Sequence, residues 1–498
     1  MTSELHRELS VISIINVVPW AVVWMQPLPQ VGETASGYIK SYNEWVSSSS
    51  ENTSSRAEAL AYETEFVTAL DQIGPLTTDV NSAEWEDMVL LIGSNRDFLD
   101  DVREFANKEM SHSLIELDLE KHTIPIGEVG LLPVSQLVIK GTFSDLSRVR
   151  KIVKLLAIDA IVASRVGDTQ MVLADLKAIG KYAQSTPRLN SRIEYLVARG
   201  ILFGITESIL NNNIAINHMT IHELASLNLT LDCVYESISP AMTVQTEEWA
   251  AQDALEWLYE DQIDGRFGPR GIDRFLYVVY EYENKKLNIK DGDIVKTTNV
   301  LNLLRKIGDY DSQKAFTNKF FYAVNGDYGV APYTLNALQS DKLIEDSTKD
   351  NNSISSSLMP GNILVDSVRN VIETEIQAIT SINAVRLLIS IIGYQQLHGS
   401  MPSNLSDLHC INDESRMIDG FSGNDLVFQV SNNNSFKIYS VGSDRDDDGG
   451  VGQIYTNGEA MVYPEFYFQN EISTGVTDLP NGDWILYSGN VYTEDIDD

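Results

Sequence analysis

LLAIDAIVASRVGDTQMVLADLKAIGKYAQSTP, residues 155–187, is the stretch on which the fold turns. Its first half places apolar or small side chains at Leu155, Leu156, Ala160 and Ala163, and its second half at Met171, Ala174, Leu176, Ile179 and Ala183. Spacings of three and four give each half one apolar helical face. Gly167-Asp168 separates the halves, and Pro187 stops the second because it has no N–H and clashes with the preceding turn. Two helices joined by so short a turn pair side by side. A third helix is predicted from Leu189 through Ile193, Leu196 and Ile201 to Leu210.

Small residues at the crossings and a G-D turn between helices are what tetratricopeptide-like hairpins use to stack closely. Only one such unit is readable, so the body is helical-repeat-like. Outward from it, three- and four-residue spacing predicts helices over 56–73, 82–110, 220–237, 246–261, 273–286, 297–307 and 312–323, with an extended piece at 131–139. A serine-rich stretch at 47–55 and a polar gap at 341–357 read as linkers. A long helix follows over 361–398, and the period then changes from helical to alternating. Residues 426–430 and 436–441 form strands joined by a polar hairpin loop, with further strand candidates at 460–468 and 484–487. The expected fold is mainly α: a helical-hairpin body and a small C-terminal α+β module of a long helix plus antiparallel sheet. The divisions are a hydrophobic segment 1–32, a linker 33–55, the body 56–340, a linker 341–360 and the helix-plus-sheet module 361–498.

At 498 residues the chain exceeds one ordinary core. Its 71 acidic and 36 basic residues leave a net charge of −35, which repels nucleic acid and anionic lipid and attracts cations. Residues 9–32 carry no charge, although Asn16 and Pro19 interrupt the ~20 apolar residues that a spanning helix needs. The segment reads equally as a signal anchor or as an apolar piece packed on the body, and no other stretch reads as a span. Cys233 and Cys410, in different modules, read as two buried thiols and leave the redox compartment open.

The chemistry concentrates after the strand Phe436-Lys437-Ile438-Tyr439-Ser440-Val441, in Gly442-Ser443-Asp444-Arg445-Asp446-Asp447-Asp448-Gly449-Gly450. Asp444, Asp446 and Asp448 alternate and Gly449 follows, the first half of the D-x-D-x-D-G pattern that wraps oxygen ligands around calcium. Carboxylates so crowded repel one another unless a cation or open water separates them. Asp447 faces water or supplies a contact behind the ligands. The twelfth position is Tyr455, not the bidentate glutamate of an EF-hand, so the expected affinity is that of weak extracellular modules, ~10⁻⁴–10⁻³ M. The competing reading of this loop is a solvated acidic turn.

His218 and His222 have a spacing that suits zinc, but Thr220 with Glu223 reads as a capping box, and no third ligand stands nearby. Glu247, Glu248, Asp253, Glu256, Glu260 and Asp261 lie among Trp249, Trp257 and Tyr259, a mixture seen in glycosidase acid/base pairs. At helical spacing the same residues make an amphipathic stripe with the acids on the wet side. The aromatic run 276–282 reads as a buried helix. The sequence contains no G-x-S-x-G elbow, no P-loop, no dinucleotide fingerprint and no Cys/His nucleophile arrangement.

Tyr394, Gly399, Pro402, Leu405 and Leu408, followed by Phe421-Ser422-Gly423 and YSVGSDRDDDGG, resemble the globular part of the major pseudopilin of type II secretion. In that family a long helix passes through a Y-x(4)-G-x-x-P-x-x-L-x-x-L segment into a small antiparallel sheet with a calcium loop. The resemblance implies that Asp483 closes the calcium site. The whole chain resembles large envelope proteins of planctomycete-type bacteria, which place a hydrophobic N-terminal segment and a helical body before the same ending. Residues 33–360 intervene where a pseudopilin has none, no prepilin-type cleavage motif stands at Met1, Met401 replaces an aromatic, and Asp419-Gly420 replaces a proline-rich approach. A borrowed module is implied, not a pilus subunit.

The expectation is a non-enzymatic bacterial envelope protein, extracytoplasmic, tethered or secreted through its N-terminal segment 9–32, with protein partners on the helical body and a structural calcium ion near the C-terminus. Alternatives are a secreted polysaccharide hydrolase using carboxylates in 247–261, or a soluble cytoplasmic helical scaffold.

Overall fold

A computed structural model describes residues 83–107, 125–126, 130–131, 134–186, 192–211, 213–236, 238–272, 274, 308–349, 360–408, 417–430, 435–453, 464–473 and 481–490. The hydrophobic segment 1–32, the linker 33–55, Cys410, the predicted helices 56–73 and 297–307, and all of the predicted helix 273–286 except residue 274 lie outside them.

The described chain is mainly helical. Helices α1 (Ala83–Ser94) and α2 (Arg96–Asn107) lead to a two-residue pair of strands, β1 (Pro125–Ile126) and β2 (Gly130–Leu131). Then come α3 (Val134–Arg165), α4 (Thr169–Ser185), α5 (Arg192–Asn211), α6 (Asn213–His218), α7 (Ile221–Glu236), α8 (Val244–Leu258), α9 (Tyr310–Tyr328), α10 (Gln339–Lys349) and α11 (Pro360–His398). Strands β3 (Val427–Val430) and β4 (Ser435–Ser440), helix α12 (Gln469–Ser473) and strand β5 (Trp484–Asn490) complete it. The sheet β3-β4-β5 is antiparallel throughout, with Phe428 opposite Ile438 and Ile438 opposite Tyr487.

The α3–α4 hairpin forms as its sequence predicts. Gly167 takes φ 73°, its N–H bonds to the Ser164 carbonyl, and the Asp168 N–H reaches back to Ala163, which closes α3 in a Schellman turn. The Asp168 carboxylate then accepts the Met171 N–H and caps α4. Gly180 lets α4 approach α7, because a Cβ there would stand 2.8 Å from a Val234 methyl.

Four local expectations are corrected. Within the predicted helix 82–110, the described residues 83–107 are two helices, not one; at the break the Ser94 and Asn95 side chains turn onto the Leu90 and Leu91 carbonyls. Residues 134–139 are helical, not extended; so short an apolar run carries no period that separates strand from helix. The expected linker 341–360 contains most of α10, whose start is capped from outside. Asp327 on α9 accepts the Gln339 and Ser340 N–H groups and the Ser340 hydroxyl. Residues 464–468 form no strand: Pro464 opens them without an N–H, and Phe466 and Phe468 are buried instead.

Helix α11 organises the molecule. It is buried on all sides over 380–393, and its polar members there are paired inside: Asn383 donates to the Ile418 carbonyl, and Arg386 donates to Asn383 and pairs with Asp232. It packs on α5, α7, α9 and α10 and also on β4 and β5, so the boundary expected at 360 is bridged by packing. Buried apolar side chains run as one contiguous cluster from Met88 in α1 to Tyr487 in β5. Val368–His398 is long and apolar enough to cross a membrane by length and composition, a property the sequence reading missed, but 83% of its apolar window is buried inside the fold.

Candidate metal centre

The acidic loop is set by the strand before it. Along β4, Phe436 and Ile438 point into the core, and a register shift at Ile438/Tyr439 moves the pairing with β5, which then runs on through Tyr439 with Ile485 and Ser440 with Trp484. Behind the loop, Asp419 is buried and accepts the Phe421 N–H and the Ser422 and Ser440 hydroxyls. Its neighbour Gly420 donates to the Thr380 hydroxyl, and a Cβ there would meet the Ile376 carbonyl at 2.8 Å. This close seat on α11 leaves room only for glycine at 420.

Gly449 and Gly450 take φ 72° and 79°, a left-handed pair that reverses the chain. The loop is then stitched to the start of β5. The Gln453 N–H donates to the Asp483 carbonyl at 2.9 Å, and the Asp483 N–H donates to Val451. Gly482, at φ 113°, lies so close to the Val451 and Gly452 carbonyls that a Cβ would stand 2.9 Å from each.

The five aspartates divide by role. Asp483 is fully buried, and its carboxylate accepts the Gly450 N–H at 2.7 Å and the Asp448 N–H at 3.4 Å. Asp447 is exposed and accepts the Tyr439 hydroxyl at 3.0 Å and the Gly449 N–H at 2.9 Å. These two fix the loop's shape. Asp444 and Asp448 are half-buried, and each has one oxygen, Oδ2, enclosed without a hydrogen-bond partner. Asp446 is exposed, and its N–H donates to Asp444 Oδ1 at 3.3 Å. Burial pushes the Asp444 carboxyl up to about 6, with the Asp448 and Asp446 charges adding to the shift and the Asp446 and Gly482 amides opposing it. Burial also raises Asp483, against the Gly450 and Asp448 amides.

Among the described residues no three His, Cys, Asp or Glu side chains group closely enough to hold a metal ion by themselves. The donor set therefore fits a hard, oxygen-seeking ion only in part. Two enclosed, unpartnered carboxylate oxygens are in place, and carbonyl groups or water would complete a shell of six to eight oxygens. Arg445 does not neutralise its acidic neighbours. It holds φ 60°, and its guanidinium lies over the Phe466 ring at 5.1 Å, donating to the Tyr467 carbonyl and Gln469 Oε1. Nothing in the D-x-D-x-D-G spacing marks this arginine, the Lys437 ammonium that donates to the Gly450 carbonyl, or Tyr439. The one available signal was that Lys437 and Tyr439 share a strand face two residues apart.

Several of the other acidic groups pair within the fold. Thr220 and Glu223 form the expected capping box, with Thr220 N–H to Glu223 at 2.7 Å and Glu223 N–H to the Thr220 hydroxyl at 3.3 Å. His218 ends α6 and His222 lies in the first turn of α7. On α8, Trp249 and Leu255 are buried, as is Tyr259 at its C-cap, while Glu256 and Glu260 are exposed. Glu247 accepts the Arg192 N–H, Glu260 pairs with Arg274, and Asp261 accepts the Arg270 and Gly271 N–H groups. Cys233 is a half-buried free thiol raised by burial. No family model, no curated protein and no solved structure matches the chain.

Proposed function

We propose that this is a non-enzymatic, envelope-associated interaction protein whose C-terminal sheet is stabilised by a calcium-type ion in the 444–450 loop. The observation that carries the reading is the pair of enclosed, unpartnered oxygens, Asp444 Oδ2 and Asp448 Oδ2, on a loop already shaped by Asp447 and Asp483. Asp444 and Asp448 are the primary ligands, and carbonyl groups or water complete the shell. Asp483, which the pseudopilin resemblance makes a ligand, acts here by holding the Gly450 and Asp448 amides. The ion neutralises clustered charge and stabilises the folded state by binding it preferentially. The helical body supplies the surface for protein partners, and the envelope assignment rests on the resemblance of the ending and on the uncharged 9–32 segment.

The test is thermal melting of the full chain in chelator and in excess calcium. Calcium raises the melting temperature of the wild type, and D444N with D448N abolishes the rise. Superimposable wild-type curves in chelator and calcium contradict the reading. Fractionation of cells into membrane, periplasm and cytosol tests the envelope assignment, which a purely cytosolic protein contradicts.

A further inference from the structure

Helix α2 is joined to the body by apolar packing and by one buried cluster of charge. Leu99, Val102 and Ala106 of α2 are buried, and α2 packs on α4 while α1 packs on α3. Arg103 of α2 is enclosed with them, and its three guanidinium nitrogens reach three carboxylates. Nε donates to Asp175 of α4 at 2.6 Å, Nη1 to Asp100 at 2.7 Å, and Nη2 to Asp159 of α3. Arg96 donates to the same Asp159 oxygen at 2.8 Å, from a side chain that is 40% exposed. Asp159 and Asp175 are both fully buried. Each keeps one oxygen, Asp159 Oδ1 and Asp175 Oδ2, enclosed without a hydrogen-bond partner.

The charges do not balance inside. Two fully buried carboxylates face one enclosed cation, while Arg96 and Asp100 stand in contact with water. An ionised carboxylate with an enclosed, unpartnered oxygen carries the cost of leaving water, and a proton removes that cost. Burial accordingly pushes the Asp175 carboxyl up to about 7, with Arg103 and Arg96 opposing and Asp159 reinforcing the shift. On the other helices packed against α4, Arg192 pairs with Glu247, Arg199 with Glu375, Glu223 with Thr220 and Asp232 with Arg386, and α6 carries only His218. We propose that one proton, held in the Asp159–Arg103–Asp175 cluster, latches the α1–α2 segment to the α3–α4 hairpin, and that this face of the body loosens when rising pH removes it. A carboxyl raised in the folded state contributes stability that is fully present below its unfolded value, 3.8 for Asp175, and is lost as pH rises through about 7. Nothing in this latch depends on an ion in the 444–450 loop.

Amide hydrogen exchange of the full chain at pH 5 and pH 8, corrected for the intrinsic pH dependence of exchange, tests it in the wild type and in Asp175→Asn. The asparagine keeps an oxygen for Arg103 and cannot ionise. In the wild type, protection of the Val102, Arg103 and Ala106 amides falls about tenfold or more between the two conditions, the factor that goes with one pH unit of titration. In Asp175→Asn it stays level. A fixed ion pair or apolar packing alone would leave the wild type level too, so unchanged wild-type protection overturns the latch. The same fall in Asp175→Asn also overturns it. Should that variant fail to fold, Asp159→Asn, which leaves Arg103 one buried carboxylate, is expected to stay level in the same way, and a fall equal to that of the wild type would overturn the proposal.

Discussion

At the scale of single residues, the interior is held by charges that no helical wheel places inside. Glu375 on α11 receives the Tyr195 hydroxyl at 2.5 Å, the Tyr235 hydroxyl at 2.9 Å and the Arg199 guanidinium at 2.7 Å, with Arg199 itself 1% exposed. Removing one member strands a buried charge, whereas removing both leaves an apolar contact. Glu375→Ala is therefore expected to cost about 3–5 kcal/mol in urea denaturation, and Glu375→Leu with Arg199→Met distinctly less. Equal losses for the two proteins would contradict the account. These partners were not legible in the sequence because they lie on three separate helices, and a charged residue at helical spacing reads as solvent-facing. The turn after β4 was legible because its glycines and aspartates are local. Arg445's hold on Tyr467 and Gln469 was not, because these partners lie more than twenty residues away.

At the scale of elements, those whose signals are local were readable: the α3–α4 hairpin from its spacing and G-D turn, α7 from its capping box, and the β3–β4 hairpin from alternation. Helix α10 was missed because its cap comes from Asp327 on a neighbouring helix, and the 464–468 segment because burial of Phe466 and Phe468 mimics strand alternation. A pH dependence is expected where α11 meets residues 464–473. Burial pushes the Glu373 carboxyl up to about 7, reinforced by Glu465 and Glu471 and opposed by Arg369. Asp341 on α10 is raised to about 6, chiefly by burial. A carboxyl whose folded-state value is raised contributes stability that is fully present below its unfolded value, near 4.5 for Glu373, and is lost as pH rises through about 7. The wild type is therefore expected to lose more stability between pH 5 and pH 8 than Glu373→Gln, measured by urea denaturation at each pH. Parallel losses would show that Glu373 is not the group responsible.

At the scale of the whole molecule, the change from helical to alternating period marks a real change of architecture, but the described parts on either side share one core. Helix α11 lies in both, packed on α5, α7, α9 and α10 and on β4 and β5. Composition cannot show this, since a polar gap before a long apolar helix looks the same whether or not the helix folds back onto the preceding body. The chain carries a net charge of −35, and its 444–448 loop sets four aspartates beside one arginine, with two enclosed oxygens that have no hydrogen-bond partner. Terbium, which takes calcium's oxygen ligands and emits when a nearby tryptophan is excited, reads this directly, because Trp484 directly follows the buried Asp483 that holds the loop. Tryptophan-sensitised terbium emission is expected from the full chain, competed away by calcium and absent from D444N with D448N; no emission, or equal emission from the variant, would contradict the claim that this loop holds a divalent ion.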